Sequence, residues 1–180
     1  MSEKISVVCL SFILVLSFFS CSHKNTDVYS SVLERSFSCK VTVLNEQTEY
    51  KADVTLYAAS EPDELAVARD GSIVYMSPES LSDITANRTG GVVTVNVAGI
   101  IVTPSEKVGE RYAALLDMLD LGSGEMLDCK TEKIDERTYV SVSFFRSGKN
   151  YKLLVDEDTA IPVSLEGDGI SIKFSEFIYI

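Results

Sequence analysis

Histidine is nearly absent from this 180-residue sequence, in which His23 is the only one. Ser-His-Asp and Cys-His arrangements need a histidine base, so neither can be built in the body of the protein. The G-x-S-x-G, P-loop glycine, H-E-x-x-H and C-x-x-C patterns of nucleophile, phosphate, zinc and redox sites are missing as well. These absences predict a protein that is not an enzyme and that carries no cofactor and no metal.

Cysteine is also scarce, with four residues in the whole chain. Cys9 lies in the apolar N-terminal segment and Cys21 directly follows that segment, so only Cys39 and Cys129 belong to the predicted folded part. A disulfide between these two is chemically allowed outside the cytosol. A buried free thiol is the alternative, because Cys39 falls on an apolar strand face. The sequence leaves both alternatives open.

Basic side chains are outnumbered, with 16 Lys and Arg against 27 Asp and Glu and a formal net charge of −11. An acidic chain repels phosphate groups, which excludes nucleic acid as an expected partner and disfavours charge-driven docking on anionic lipid headgroups. The length suits a single domain with one core.

Long apolar runs are missing except at the N-terminus, where residues 5–19 read ISVVCLSFILVLSFF. As a helix this run would reach about 22 Å, which is shorter than the ~30 Å hydrocarbon core of a bilayer. It follows a lysine and precedes the polar stretch SHKNTD. This layout predicts a signal peptide over residues 1–20, which is removed during export.

Cys21 directly follows Ser20 at the end of the apolar run, and this position resembles the lipidated cysteine of bacterial lipoproteins. Phe18 and Phe19 replace the leucine and the small residue that the lipoprotein pattern prefers. The resemblance implies lipid attachment at Cys21 and a location on the extracytoplasmic face of the cell membrane. We expect a lipid-anchored tether over 21–30 and a folded domain over 31–180. A soluble secreted product cleaved near Ser20 is the alternative.

Most of the remaining chain alternates apolar and polar residues with a period of two, as in 37–43 (FSCKVTV) and again from Val92 to Val102. Such alternation is typical of antiparallel strands with one buried face. Asp70-Gly71 is predicted to be a turn between the segments ELAVARD and SIVYMS. The pattern predicts a mainly β protein of the α+β class with about 9–11 strands.

One main helix is predicted over about 104–121, because TPSE (103–106) supplies a capping signal and Gly122 can end the helix. Its apolar stripe is expected to consist of Val108, Tyr112, Leu115 and Leu119. Asp117 and Asp120 lie in the last turn, where the helix dipole disfavours negative charge.

The order of elements ends in two spaced motifs, Y-x-L-x-x-D-x-x-T-x-x-P and I-x-F-x-x-F. Their residues are Tyr151, Leu153, Asp156, Thr159 and Pro162, and then Ile172, Phe174 and Phe177. With the preceding lipoprotein-like cysteine, a short helix near Asp27–Arg35 and the strand meander, this resembles the LolA/LolB-like lipoprotein carriers. The likeness is greatest to their Gram-positive lipoprotein branch, which includes a spore germination lipoprotein, and it covers most of residues 30–180.

The resemblance implies a strongly curved antiparallel sheet, an open half-barrel, with the main helix on its concave face. In the carriers this concavity accepts acyl chains, whereas in some relatives the sheet binds a protein. The expected ligand-binding residues are Phe37, Val41, Val54, Leu56, Tyr112, Leu115, Val140, Phe144, Leu153 and Phe174. The same large side chains would alternatively form a filled core without a cavity.

Two functions follow as expectations. The first is a membrane-anchored, non-enzymatic lipoprotein of the cell envelope that binds a lipid or other apolar ligand in the concavity. The second is a scaffold or regulator that binds an envelope protein, such as a cell-wall enzyme, through its sheet edge or an apolar patch.

Overall fold

The structure, a computed structural model, describes residues 26–45, 48–58, 68–121 and 124–180. The predicted signal peptide (1–20), Cys21 and residues 22–25 of the predicted tether lie outside these ranges. Within them the chain forms eleven strands and two α-helices. In chain order the elements are α1 (26–34), β1 (Phe37–Asn45), β2 (Thr48–Leu56), β3 (Gly71–Ser77), a 3-10 turn (Glu79–Leu81), β4 (Ile84–Thr89), β5 (Val92–Val97), β6 (Ile100–Val102), α2 (Glu106–Leu119), β7 (Glu125–Ile134), β8 (Arg137–Arg146), β9 (Lys149–Asp156), β10 (Pro162–Gly167) and β11 (Ile170–Tyr179).

All eleven strands belong to one curved, open antiparallel sheet with the order β6-β5-β4-β3-β2-β1-β11-β10-β9-β8-β7. Two meanders, β1 to β6 and β7 to β11, meet where β1 pairs with β11. The described strands leave β6 and β7 as open edges, so the sheet is not closed into a barrel. The predicted mainly β half-barrel of 9–11 strands is confirmed.

The position of α2 follows from this topology. β6 and β7 are consecutive in the chain but lie at opposite edges of the sheet, so the segment between them must cross a whole face. A flat eleven-stranded sheet would separate its edges by about 48 Å, whereas a 14-residue helix is only about 21 Å long. Curvature shortens this crossing, and α2 therefore lies across the concave face. Neither helix in the described ranges is both long and apolar enough to traverse a bilayer.

The predicted single alternating segment from Val92 to Val102 is two strands, which corrects that prediction. Ala98 and Gly99 have φ of 51° and 86° and form a tight turn between β5 and β6. The Gly99 N–H donates to Asn96 Oδ1 at 2.9 Å, which supports the turn. Two positive φ values in sequence match the twist of a two-residue hairpin.

Gly71 has a different role from the predicted one. It is the first residue of β3 and pairs with Leu56, and residues 68–70 before it are not a strand. A Cβ at position 71 would lie 2.6 Å from the Thr55 carbonyl oxygen and 3.0 Å from Leu116 Cδ2. Glycine is needed here because the backbone passes close to β2 and α2, not because the chain turns.

The core lies on the concave face, where the inward side chains of β1, β2, β8, β9 and β11 meet the two helices. Tyr29 and Val32 of α1 are buried in it, and Tyr29 Oη donates a hydrogen bond to the Leu121 carbonyl oxygen at 3.1 Å. The packed body of the protein therefore already includes residue 29.

The D-x-x-T-x-x-P motif forms the connection between β9 and β10. Asp156 Oδ1 accepts hydrogen bonds from the Thr159 N–H at 2.9 Å and from Thr159 Oγ1 at 2.8 Å. These bonds hold the pKa of Asp156 below its usual value. Pro162 then stands beside a register shift in the pairing of β10 with β9, which accommodates its missing N–H.

Candidate functional site

The helix α2 begins at Glu106, with Ser105 as its N-cap, and its buried face differs from the predicted stripe. Val108, a member of that stripe, is 43% exposed. The buried positions are Gly109, Ala113, Leu115, Leu116 and Leu119. The face that meets the sheet is thus turned from Val108 towards Gly109, and it carries small residues in its first half and leucines in its second.

The ten predicted ligand-binding residues separate into two groups in the structure. Eight of them are at most 2% exposed and pack in one cluster: Phe37, Val41, Val54, Leu56, Leu115, Val140, Phe144 and Leu153. Phe174 is half-buried against this cluster, and half-buried Tyr112 accepts a hydrogen bond from Tyr75 Oη through its backbone carbonyl. At such low exposure the eight side chains are packed against one another. Their role in ligand binding stays a prediction, and for those that border no open space it requires the helices to move away from the sheet.

Open space lies instead beside the first half of α2. A cleft of about 510 Å³ is lined by residues of the helix and of strands β4 and β5. Val92, Val93 and Pro104 contribute apolar groups to its walls, and Gly109 and Ala113 line it from the helix. At Gly109 the helix comes so close to β5 that an added Cβ would lie 3.3 Å from Val93 Cβ. The volume falls in the 300–1,000 Å³ range of typical small-molecule sites.

Sequence reasoning missed this cleft. Its lining includes Gly91, the start of β5, small helix positions and charged side chains, none of which is one of the large apolar side chains that the sequence predicts as a lining. The available signal was the i, i+4 spacing of Gly109 and Ala113 on the helix, which leaves a shallow face where a sheet-covering helix normally has large residues.

Four charged side chains line the cleft: Arg88, Glu106, Glu110 and Asp117. Arg88 is only 4% exposed, and its Nη1 forms an ion pair with Asp117 Oδ1. Its Nε donates to the Arg69 carbonyl oxygen at 2.6 Å, while Nη2 has no partner among the described residues. Glu106 and Glu110 are exposed at the rim. One guanidinium and three carboxylates give the lining a net charge of −2.

The same network explains the two aspartates at the end of α2. Asp117 binds Arg88, and Asp120 Oδ2 accepts a hydrogen bond from the Arg69 N–H at 3.0 Å. Arg146 Nη1 donates to the Asp120 carbonyl oxygen at 3.0 Å. These contacts offset the unfavourable dipole at the helix end and fix this end of α2 to β4 and β8.

A smaller cavity of about 150 Å³ lies on the other side of the second half of α2, next to Met118, Phe144 and Tyr151. Phe144 is therefore the predicted ligand residue that borders open space beside this helix. The described residues contain no group of three His, Cys, Asp or Glu side chains that could hold a metal ion.

Cys39 and Cys129 are both free thiols in the structure, so the disulfide alternative is not realised there. Cys39 lies on β1 and Cys129 on the edge strand β7, with four strands between them in the sheet order. Burial raises the pKa of Cys39 to about 12, with a smaller contribution from Asp53. Burial also raises the pKa of the half-buried Cys129.

No family model and no curated protein sequence matches this chain. Among solved structures, it is similar to an uncharacterized conserved protein from Thermus thermophilus, with a TM-score of 0.53 and 14% identity over 88% of this chain and 87% of that one. It also matches a candidate outer membrane lipoprotein-sorting protein domain from Vibrio parahaemolyticus, with a TM-score of 0.49 and 8% identity over 87% and 92% of the two chains.

MucB, in its Pseudomonas aeruginosa complex with MucA, matches with a TM-score of 0.47 and 12% identity over 89% of this chain and 57% of that one. The chain spans 55–58% of the length of the MucB chains that it matches. The likeness to the Thermus protein shows a shared fold. Membership of the Gram-positive lipoprotein branch and kinship with spore germination lipoproteins stay predictions.

Proposed function

We propose that this chain is a non-enzymatic lipoprotein of the cell envelope that binds a lipid or other apolar ligand on the concave side of its half-barrel. The lipid on Cys21 holds it at the extracytoplasmic face of the membrane. The ligand occupies the cleft between α2 and strands β4 and β5.

The cleft of about 510 Å³ beside α2 is the observation that carries this proposal. An apolar ligand needs little polar chemistry, because each buried methylene contributes about 0.8 kcal/mol. The walls formed by Val92, Val93 and Pro104 offer such a surface without any rearrangement of the filled core.

The first experiment purifies the protein from its native membrane without delipidating it, and analyses an organic extract by mass spectrometry. A variant that fills the cleft, Val93→Trp on the α2-facing side of β5, is compared with Val74→Trp, which places the same side chain on an exposed valine of β3, and circular dichroism verifies that both variants fold. We expect co-purifying lipid and saturable binding of the neutral probe N-phenyl-1-naphthylamine in the parent and in Val74→Trp, and loss of both in Val93→Trp. Absence of lipid together with absence of probe binding in the parent protein would refute the proposal.

Anchoring is tested separately. The Cys21→Ser variant is expected to move from the membrane fraction to the soluble fraction, and intact-mass analysis of the parent is expected to show an N-terminus at residue 21 with fatty modification. Each acyl chain contributes about 0.8 kcal/mol per buried methylene, so several chains retain the protein almost completely. A parent protein that keeps residues 1–20, or that lacks acyl mass, would contradict this part.

A second candidate function is binding of an envelope protein at the β6 edge. Ile100 and Ile101 on this open edge are 68% and 71% exposed, and an apolar edge strand is a ready surface for pairing with another chain. In crosslinking pull-downs the Ile100→Lys/Ile101→Lys variant should lose a specific protein that an Ile178→Lys control retains. Ile178 is a suitable control because it is 60% exposed on the interior strand β11. Equal recovery from both variants would exclude the β6 edge.

A further inference from the structure

The charges around the cleft restrict the chemistry of the ligand. Arg88 is the only positive group in the described lining, and its charge is already paired with Asp117. Glu106 and Glu110 remain at the rim as exposed carboxylates without a compensating cation in the lining. The exposed Lys107 and Arg111 belong to the same helix, but they do not line the cleft.

These charges discriminate between two amphiphiles that have the same apolar chain but head groups of opposite charge. The carboxylate head of a free fatty acid would face the two unpaired carboxylates of Glu106 and Glu110 and an Arg88–Asp117 ion pair with no net charge, so it is repelled. A positively charged head would lie between Glu106 and Glu110 while its chain packs against Val92, Val93 and Pro104.

The inner end of the cleft adds a second requirement. Arg88 is 4% exposed, and its Nη2 has no hydrogen-bond partner among the described residues. A buried N–H without a partner is unfavourable, and a neutral acceptor such as a carbonyl oxygen satisfies it without adding negative charge. The lining thus favours a ligand with a neutral acceptor near its chain and a cation at its exposed end.

We infer that the cleft selects cationic amphiphiles over anionic ones, with Glu106 and Glu110 as the residues that determine this specificity. This inference rests on the proposed binding of apolar ligands in the same cleft.

The test compares three ligands with equal chains, dodecyltrimethylammonium, dodecyl maltoside and dodecanoate, each below its micelle concentration. Each ligand displaces N-phenyl-1-naphthylamine from the full chain carrying Cys21→Ser, so that no covalent lipid competes. Circular dichroism at each ligand concentration verifies that the protein stays folded. We expect the cation to bind about tenfold more tightly than dodecanoate, with the neutral ligand between them, which is the scale of two exposed ion pairs.

The specificity residues are tested with Glu106→Gln/Glu110→Gln against the control Glu125→Gln/Glu136→Gln. Both double variants change the net charge equally, but Glu125 and Glu136 lie on β7 and on the turn after it, away from the cleft. Glu106→Gln/Glu110→Gln should reduce the preference for the cation over dodecanoate to less than about twofold. The control variant and a titration at elevated salt distinguish attraction by these two glutamates from attraction by the overall negative charge of the protein.

Three results overturn the inference. Equal affinities of the cation and dodecanoate in the parent protein refute the selection, and tighter binding of dodecanoate reverses it. If the preference for the cation persists in Glu106→Gln/Glu110→Gln, it arises from the overall charge of the protein and not from these two residues. In all three cases binding that is blocked by Val93→Trp leaves the proposed function intact, whereas absence of both co-purifying lipid and probe binding in the parent protein refutes the proposed function itself.

Discussion

The two halves of α2 cross the same sheet but rest on different surfaces. In the second half, Leu115, Leu116 and Leu119 are almost completely buried and complete the core. Nearer the N-terminus, Gly109 in the first half and Ala113 just past the midpoint face the sheet, and the cleft of about 510 Å³ remains beside them. The leucines fill the space under the helix, whereas the small residues leave part of it open. One helix can therefore seal a half-barrel at one end and keep a site at the other.

The acidic residues of α2 also have different roles in its two halves. The aspartates of the second half bind Arg88 and the Arg69 backbone, so they hold the helix in place. The glutamates of the first half, Glu106 and Glu110, are exposed at the cleft. The fixed end keeps the open end at a defined distance from β5. This comparison leads to four predictions, given from the largest expected effect to the smallest.

The largest contrast is in thiol reactivity between the filled core and the cleft. In a Cys21→Ser/Cys129→Ser background, a cysteine introduced as Val93→Cys should react with iodoacetamide at pH 8 more than about a thousandfold faster than Cys39. The physical reason is that burial raises the pKa of Cys39 to about 12, so little thiolate forms, and the side chain is also inaccessible. The measurement is labelling followed by mass spectrometry.

Urea provides the control for this experiment, because Cys39 should become reactive only as the protein unfolds. Rapid labelling of Cys39 under native conditions would show that the core opens readily. In that event the predicted ligand-binding residues of the core would be better candidates for the binding site than the cleft.

The second contrast is in stability along α2. Leu116→Ala should lower the free energy of unfolding by about 3 kcal/mol, within the 2–5 kcal/mol typical of buried leucines. Leu116 has no exposed surface, and its Cδ2 would lie only 3.0 Å from a Cβ added at Gly71. Val108→Ala, at a 43% exposed position on the same helix, should cost less than about 0.5 kcal/mol. Urea denaturation at equal m-value measures both, and similar losses would show that the two halves are packed alike.

The third contrast is between two ion pairs. In the first, one partner is buried; the second pair is exposed. Asp117→Asn should cost about 1–3 kcal/mol, because it leaves the buried Arg88 guanidinium without its charged partner. The half-exposed position of Asp117 keeps the loss below that of a fully buried pair. Glu132→Gln removes the exposed pair of Glu132 with Lys152, whose atoms lie 2.9 Å apart, and should cost less than about 1 kcal/mol. Denaturation curves in which Glu132→Gln is the more harmful variant would contradict the anchoring role of Asp117.

Much of the fold could be predicted because strand alternation is a local signal. A segment such as 37–43 carries its buried face in its own spacing, and several of the positive-φ turns lie at glycine-containing pairs such as Ser147-Gly148. Gly71 shows the limit of such reasoning. Its glycine reflects close approach of β2 and α2, and that contact depends on residues far away in the sequence.

The site was harder to predict because a cavity is defined by what neighbouring elements leave empty. The expected stripe assumed that Val108 points inward, but the crossing of α2 turns Gly109 towards β5 instead. Residues chosen for large apolar side chains, such as Phe37 and Leu153, are the ones that fill space and so became core. The small residues that create the cleft carry little hydrophobic signal of their own.

The smallest expected effect on stability is that of a substitution at Gly109. This substitution tests whether the small residues of α2 create the cleft. Gly109→Ala gains about 1 kcal/mol of helix propensity. Its Cβ would lie 3.3 Å from Val93 Cβ and 3.5 Å from Pro104 Cγ, a tight contact that offsets this gain, so the free energy of unfolding should change by less than about 1 kcal/mol. Binding of N-phenyl-1-naphthylamine should nevertheless weaken by about fourfold, the equivalent of one methyl group of apolar contact. Ala114→Gly, on the exposed side of α2, is the matched control that lowers stability by about 1 kcal/mol without affecting the probe. If Gly109→Ala leaves probe affinity at the parent value, the small residues of α2 do not shape the binding site, and the difference between the two halves of the helix concerns packing alone.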